Sequence, residues 1–330
     1  MVAYIDWLFS LPYFYVTWIT FFATALVTFS IRIFKRYCSP SLRGFFRHCF
    51  PSGMWSSKSA RMDIILWVLS KVLRELPSLV SAVAVAVLLT SYLKQLIPHF
   101  APVQPTGWIV AFCMVCLFVF KEFVDYAIHY LQHRVPLLWE LHKVHHSALH
   151  LIPLTAQRGH PLEMFIQGPV SGIANGLAFG ICGFIFGLSV PELILSAAVL
   201  NKVMTILSLD TLRHSHFALS FGWLDKVFIS PDMHHVHHSS HPHHWDKNFG
   251  TNLSVFDWMF GTAYKPAKNE DISYGIGNED EERDHFTLTG VFVGPLSKMW
   301  RLVAGRRAPV APVMVVESAQ QTQSAAAAGQ

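Results

Sequence analysis

The chain has 330 residues, of which 52% are hydrophobic and only 14% are charged, and its net charge is +4. Because soluble domains are about one quarter charged, this composition excludes an ordinary water-soluble protein and indicates an integral membrane protein. The small net charge, without a dense basic run, also argues against nucleic acid as a partner.

Several apolar segments are long enough to cross a bilayer, which takes about 20 apolar residues. They cover residues 11–34, a window within 64–92, 108 to about 130, 165–188 and 191–209. A short break at Ser189-Val190-Pro191 predicts that the last two form a hairpin. Strand patterns are nearly absent. We therefore expect an all-α integral membrane helical bundle with four to five membrane segments and a histidine-rich helical cap on the cytoplasmic side.

Basic residues predict the orientation of this bundle. Residues 1–10 contain no lysine or arginine, whereas residues 32–61 contain seven. By the positive-inside rule, the segment that follows the first span is cytoplasmic. Counting spans from there places every histidine-rich segment on the cytoplasmic side as well, as a shared site requires.

Three regions differ in composition. Residues 1–107 are expected to form the N-terminal membrane anchor spans and a basic linker, and residues 108–265 the histidine-bearing core. Residues 266–330 read as an acidic loop and then a disordered tail that is rich in Ala, Gln, Ser and Val.

Eight histidines form three clusters at helical spacing. Side chains three or four residues apart share one helix face, so each cluster directs its imidazoles to one place. Neutral imidazole is a ligand for iron, copper, zinc and nickel, and eight imidazoles exceed the capacity of one ion. The pattern therefore indicates a two-metal centre. The clusters are His129 and His133; His142, His145 and His146; and His234, His237 and His238.

Further histidines are weaker candidates. His214 and His216 alternate along the chain, so they do not share a helix face; we expect His214 to be a ligand and keep His216 as an alternative. The histidines at 241, 243 and 244 lack helical spacing and are expected at the surface or behind the ligands.

Several other side chains are candidate partners of the ligands. Asp125 shares a helix face with the first cluster, where a carboxylate can hold the distal N–H of a ligating imidazole or ligate directly. His160 opens the motif His-Pro-Leu-Glu and is a further candidate ligand, with Glu163 placed to orient its ring.

Other reaction classes lack their motifs. The sequence contains no His-Glu-x-x-His, no Gly-x-Ser-x-Gly, no P-loop and no Gly-x-Gly-x-x-Gly. Haem needs only one or two axial ligands and would leave most of these histidines unexplained. We therefore expect no catalytic side chains beyond the metal ligands.

The clusters and their flanks resemble the fatty acid hydroxylase/sterol desaturase superfamily of membrane di-iron oxygenases. The resemblance runs from about Lys121 to Tyr264 and includes LWELHKVHHS at 138–147, RGHPLE at 158–163 and DKNFGTNLSVFDWMFGT at 246–262. It implies two iron ions, dioxygen as co-substrate, and hydroxylation or desaturation of a sterol, fatty acyl chain or related lipid. It also places Asp246 and Asn248 close to the metal helices.

The resemblance further implies an electron donor. The chain contains no recognisable ferredoxin, flavin or haem module, so a separate cytochrome b5, or a ferredoxin with its reductase, is expected. The protein would be multi-pass, in the endoplasmic reticulum of a eukaryote or the inner membrane of a bacterium, in contact with membrane lipids. The substrate and the choice between hydroxylation and desaturation stay open.

A different class of protein is a membrane metal transporter or metal-binding protein that uses the histidine-rich clusters. Transporters place polar ligands near the middle of the membrane, whereas these clusters lie at span ends. This difference favours the oxygenase.

Overall fold

The computed structural model describes residues 12–35, 37–267 and 270–305. Within these residues the fold is all-helical, as predicted, and the only β structure is two isolated bridges, Phe228 with Leu253 and Ser239 with Tyr274. The α-helices are α1 (Pro12–Phe34), α2 (Leu42–Cys49), α3 (Lys58–Ser70), α4 (Leu76–Leu96), α5 (Gly107–Arg134), α6 (Pro136–His146), α7 (Pro161–Phe186), α8 (Val190–Leu207), α9 (Asp210–Arg213), α10 (Pro231–His237), α11 (Val255–Phe260), α12 (Glu279–Asp284) and α13 (Leu288–Val303).

Four helical segments of the described chain are long and apolar enough to cross a membrane. They are Lys58–Leu96, in which a π-helix at Lys71–Glu75 joins α3 to α4, and α5, α7 and α8. The apolar part of α1 counts as a shorter helix, Phe21–Phe34. These helices agree with the predicted bundle and identify a multi-pass membrane protein.

Capping residues define the ends of α7 and α8. The hydroxyl of Ser189 accepts a hydrogen bond from the backbone N–H of Glu192, and the backbone N–H of Ser189 donates one to the Glu192 carboxylate, which forms a capping box at the start of α8. His160 and Glu163 form the corresponding box at the start of α7. Gly187 ends α7 with a φ of 66°, a left-handed conformation that favours glycine.

A stripe of glycines at four-residue spacing brings α7 against α4. A Cβ atom added at Gly172 would lie 2.2 Å from the carbonyl oxygen of Ser78, and one added at Gly168 would lie 2.4 Å from that of Arg74. Only glycine permits this approach of two backbones, which is how membrane helices pack closely. The stripe therefore fixes the π-helical turn against the first turns of α7.

Two helices form in the C-terminal region. The sequence indicated an acidic loop and then a tail there, and the structure adds α12 within the acidic stretch and α13 after it. Val291 of α13 is fully buried against Met62, Val144 and Met164, and this packing compensates for the glycines and the proline that interrupt the helical pattern. The tail predicted to be disordered, from about residue 308, lies outside the described residues.

Candidate metal centre

Nine histidine rings converge in two adjacent groups at the ends of α5, α6, α9 and α10. Within each group, the ring nitrogens that face one another all lie within 4.8 Å. The two groups are in contact, since the ring centroids of His146 and His238 are 4.7 Å apart. The first group is His129, His133, His142, His146 and His237; the second is His145, His214, His234 and His238.

Each His-x-x-His-His motif contributes to both groups. On α6, His142 and His146 lie one helical turn apart and enter the first group, whereas His145 enters the second. The motif that ends α10 divides in the same way, with His237 in the first group and His238 in the second. Consecutive residues on a helix point about 100° apart, so a pair of adjacent histidines reaches two neighbouring places.

Backbone carbonyls set the tautomers of several rings. His129 donates from Nδ1 to the carbonyl of Phe249 at 2.8 Å, and His237 donates from Nδ1 to the carbonyl of Lys247 at 2.8 Å. A carbonyl can only accept, so Nδ1 carries the proton and Nε2 offers its lone pair to the group. Both Nε2 atoms are buried without a hydrogen-bond partner.

Two rings of α6 are oriented in the same way. His145 donates from Nδ1 to the carbonyl of Arg158 at 3.0 Å. Nδ1 of His142 lies 2.7 Å from Oε1 of Glu163, which also accepts from Gln132 at 2.7 Å. Such partners fix the ring of a metal-binding histidine and increase its basicity.

The remaining contacts between rings bring nitrogen lone pairs opposite one another, an arrangement that a cation would stabilise. Nε2 of His214 lies 3.0 Å from Nε2 of both His234 and His238 and 3.4 Å from that of His145. One N–H cannot satisfy three neighbouring nitrogens, so most of these lone pairs face each other. A metal ion among them would satisfy all four, and the donor set therefore fits one.

The ligand histidines outside the membrane segments are held neutral. Burial lowers the pKa of His145 to about 3. Burial first, and repulsion from neighbouring rings second, lower the pKa values of the others well below their ordinary value, so each offers a lone pair at neutral pH. These are His142, His146, His214, His234, His237 and His238.

Two of the candidate residues lie apart from the rings. Asp125 forms an ion pair with Lys121 at 2.6 Å, one turn back on the same helix face, and not with an imidazole. His216 donates from Nε2 to the carbonyl of His48 at 2.8 Å and packs on Phe217. It belongs to neither group, because the chain turns and bends at residues 214–216 and the ring of His216 lies against His48 and Phe217 instead.

His160 belongs to neither group of rings, and Glu163 orients a different ring from the one expected. His160 accepts from the backbone N–H of Leu162 through Nδ1 and reaches the carbonyl of Phe292 with Nε2, so both of its nitrogens are used in capping α7 and in a contact with α13. Glu163 orients the ring of His142 instead.

Asp246 and Asn248 shape the turn beside the first group. Asp246 pairs with Arg134 at 2.6 Å and lies 3.8 Å from Nδ1 of His133. Asn248 donates to the carbonyls of Met233 and Tyr264, both at 2.7 Å. Both residues have positive φ angles, 58° and 57°. The turn presents the Lys247 carbonyl to His237, a role that sequence motifs do not reveal.

A cavity of about 610 Å³ lies beside both groups. His129 and His142 of the first group and His145, His214 and His234 of the second line it. Its other walls come from α4, α5, α7 and α8 and include apolar side chains: Leu79, Ala82, Leu117, Phe118, Phe179 and Ile194.

Residues 113–262 match the family model described as fatty acid hydroxylase. The chain is 30% identical over 178 residues to ornithine lipid hydroxylase OlsE of Rhizobium tropici, covering 54% of this chain and 49% of the relative. It is 29% identical over 173 residues to alkylglycerol monooxygenase of Caenorhabditis elegans (52% and 30%) and 27% over 172 residues to Delta(7)-sterol 5(6)-desaturase erg3C of Aspergillus fumigatus (48% and 50%). The chain thus spans half or less of these relatives. No solved structure matches it.

Proposed function

Because residues 113–262 belong to the fatty acid hydroxylase family, we propose that this protein is a membrane-bound oxygenase that hydroxylates or desaturates a lipid. It would use dioxygen and electrons from a separate donor. The observation that carries the proposal is the pair of imidazole groups beside one cavity between membrane helices. The named relatives include a lipid hydroxylase, a monooxygenase and a sterol desaturase, which supports the reaction class but not one substrate.

Two iron ions are the proposed cofactors. The first group offers five neutral imidazoles and the second four, whereas a structural zinc site takes four ligands and a catalytic zinc three. When bound, redox-active iron supplies the activation of dioxygen that attack on an unactivated C–H bond requires and that side chains cannot provide.

The residues of the chain hold, orient and shield this centre. Glu163 and three backbone carbonyls fix the tautomers of the rings, so that Nε2 is available before a metal arrives. The apolar part of the cavity lining gives an acyl chain or sterol ring a place beside both groups.

The location of the centre supports the proposed orientation. The histidines of α5 lie in its last two turns, and those of α6 and α10 lie outside the four membrane-crossing segments. Together with the positive-inside rule, this location supports a centre on the cytoplasmic side, where a soluble or peripheral electron donor would reach it.

The test uses purified full-length protein and the substitution His145→Ala. We expect the wild type to bind about two iron ions per chain and, with a reductase system, to form an oxygen-dependent lipid product. His145→Ala should abolish turnover while the protein stays in the membrane. His99→Ala, an exposed histidine that follows α4, is the matched control and should behave as wild type. Full iron content and turnover in the His145 variant would refute the centre, and metal flux without lipid oxidation would favour a transporter.

A further inference from the structure

Arg74 is a cation on the wall of the cavity whose capacity to donate hydrogen bonds is largely unused. It lies in the π-helical turn Lys71–Glu75 and lines the cavity. Its Nε atom is buried without a hydrogen-bond partner, and Nη1 makes one long hydrogen bond, 3.4 Å, to Gln157. Among the described residues, no carboxylate lies within ion-pair distance of its guanidinium. Nearby carboxylates, Glu163 foremost, act on Arg74 electrostatically without contacting it, so its unused N–H groups remain available to an acceptor on a ligand.

The other charged groups of this wall are already engaged. Lys121 pairs with Asp125 at 2.6 Å, and Arg213 forms an ion pair with Asp210. Glu75 also lines the cavity, and its charge acts on that of Arg74. Among the described residues that line the cavity, Arg74 is therefore the cation without a carboxylate in direct contact.

The carboxylate on the histidine side of Arg74 is also committed. Oε1 of Glu163 accepts from His142 and from Gln132, and Oε2 accepts from the backbone N–H of His160. This carboxylate orients a ring of the first group and leaves Arg74 to a ligand.

The position of Arg74 links it to the imidazole groups. A Cβ atom added at Gly159 would lie 3.4 Å from Nη2 of Arg74 and 3.2 Å from Oε2 of Glu163. The guanidinium and the carboxylate that orients His142 therefore flank the same glycine, whose missing side chain leaves this space open. The π-helix is the local cause, since it adds one residue to the helical turn and changes the direction of the side chains, as π-bulges at functional sites do.

Part of the cavity lining is apolar and suited to a hydrocarbon chain. Leu117 and Phe118 of α5 and Phe179 of α7 line it, together with Ile194 and Ala197 of α8. A molecule with an anionic end at Arg74 would find apolar walls for its remainder. The lining thus combines a cation with apolar side chains, which matches a ligand that has an anionic end and a hydrocarbon chain.

We propose that the cavity binds a lipid with an anionic head group, a carboxylate or a phosphate, through charged hydrogen bonds to the guanidinium of Arg74. The inference rests on the proposed function, which makes this cavity the substrate site, and it narrows the substrate class to anionic lipids. Arg74 is then a residue that determines specificity, and neutral sterols and neutral glycerol ethers are excluded as preferred substrates.

The test compares matched lipids with and without charge. Full-length protein in a neutral detergent is titrated with palmitate against hexadecanol, with dioleoyl phosphatidate against dioleoylglycerol, and with inorganic phosphate alone. We expect the charged lipid of each pair to bind at least about tenfold more tightly, since charged hydrogen bonds are the stronger ones. Arg74→Gln should erase this preference, and Arg74→Lys should keep part of it. Arg61→Gln removes an exposed arginine from the same helical span and should change nothing.

The outcomes separate this inference from the proposed function. Equal binding of charged and neutral lipids by the wild type, or an unchanged preference in Arg74→Gln, overturns it. Phosphate alone binding as tightly as phosphatidate also overturns it, because the site would then hold a free anion. If Arg74→Gln does not fold, the wild-type comparison and Arg74→Lys still decide. A preference for charged lipids without oxygen-dependent turnover would refute the proposed function only. Oxidation of neutral lipids at the same rate by wild type and Arg74→Gln would refute only the inference about Arg74.

Discussion

Glu163 offers the sharpest test of how the two groups of histidine rings are built. Its Oε1 atom lies 2.7 Å from Nδ1 of His142 and 2.7 Å from Nε2 of Gln132, and its Oε2 atom caps α7 at the backbone N–H of His160. Glu163→Ala leaves both donors without an acceptor. The His142 ring is then free to rotate and to change tautomer, so one of five donors in the first group is lost part of the time.

The expected size of this effect follows from the role of Glu163 in orienting the His142 ring. Removing a residue that orients a metal-bound histidine typically costs about 10- to 100-fold in metal affinity or activity. We expect Glu163→Ala to lower the iron affinity or turnover by this factor without abolishing it. Glu163→Gln retains an oxygen that can accept from His142, but it loses the negative charge, so its effect should be smaller.

The assay must separate ring orientation from helix capping. Iron content by mass spectrometry, oxygen-dependent turnover and thermal unfolding are measured together. Glu192→Ala is the matched control, because Glu192 forms the same capping box at the start of α8 but contacts no histidine. It should affect the unfolding temperature alone. Full iron content and turnover in Glu163→Ala would refute the role of Glu163.

Three further outcomes are expected. Gly172→Ala should reduce the yield of folded protein in size-exclusion chromatography, because the added Cβ would lie 2.2 Å from the carbonyl oxygen of Ser78. Gly294→Ala in α13 is the control, since its Cβ meets open space and the yield should not fall. Equal yields of the two variants would contradict the glycine contact. His216→Ala should retain iron and turnover, since its ring lies outside both groups; loss of iron from this variant would return it to the candidate ligands. Metal-free protein should become less stable as pH falls from about 6.5 towards 3. The pKa of His145 is about 3 in the folded protein and about 6.5 in the unfolded chain, so in this range the unfolded chain binds the extra proton. An unfolding temperature independent of pH in this range would contradict the burial of neutral rings.

Sequence patterns predict those features of this protein that are local. The length of an apolar segment is read directly from the chain, and α5, α7 and α8 lie close to the predicted spans. The spacing of His129 and His133 likewise places both rings on one helix face before any tertiary structure is known.

Other features depend on distant parts of the chain. The sequence does not reveal that the carbonyl of Phe249 fixes the ring of His129, because every residue has a carbonyl and only the fold selects one. Asp125 had the correct helix face for that role, but Lys121 on the same face is its partner. The irregular turn at Arg74 lies within an apolar segment and has no hydrophobic period of its own.

The division of the histidine motifs explains why the two groups form one structural unit. His145 and His146 are neighbours on α6, yet they serve different groups, and the same is true of His237 and His238 at the end of α10. Neither helix can rotate or slide to improve one group without displacing a ring from the other. If each group held an ion, the spacing between the two would be set by the angle between adjacent residues of a helix. A cavity that contacts rings of both groups, here through His142 and His145, would present a substrate to two ions held at a fixed separation.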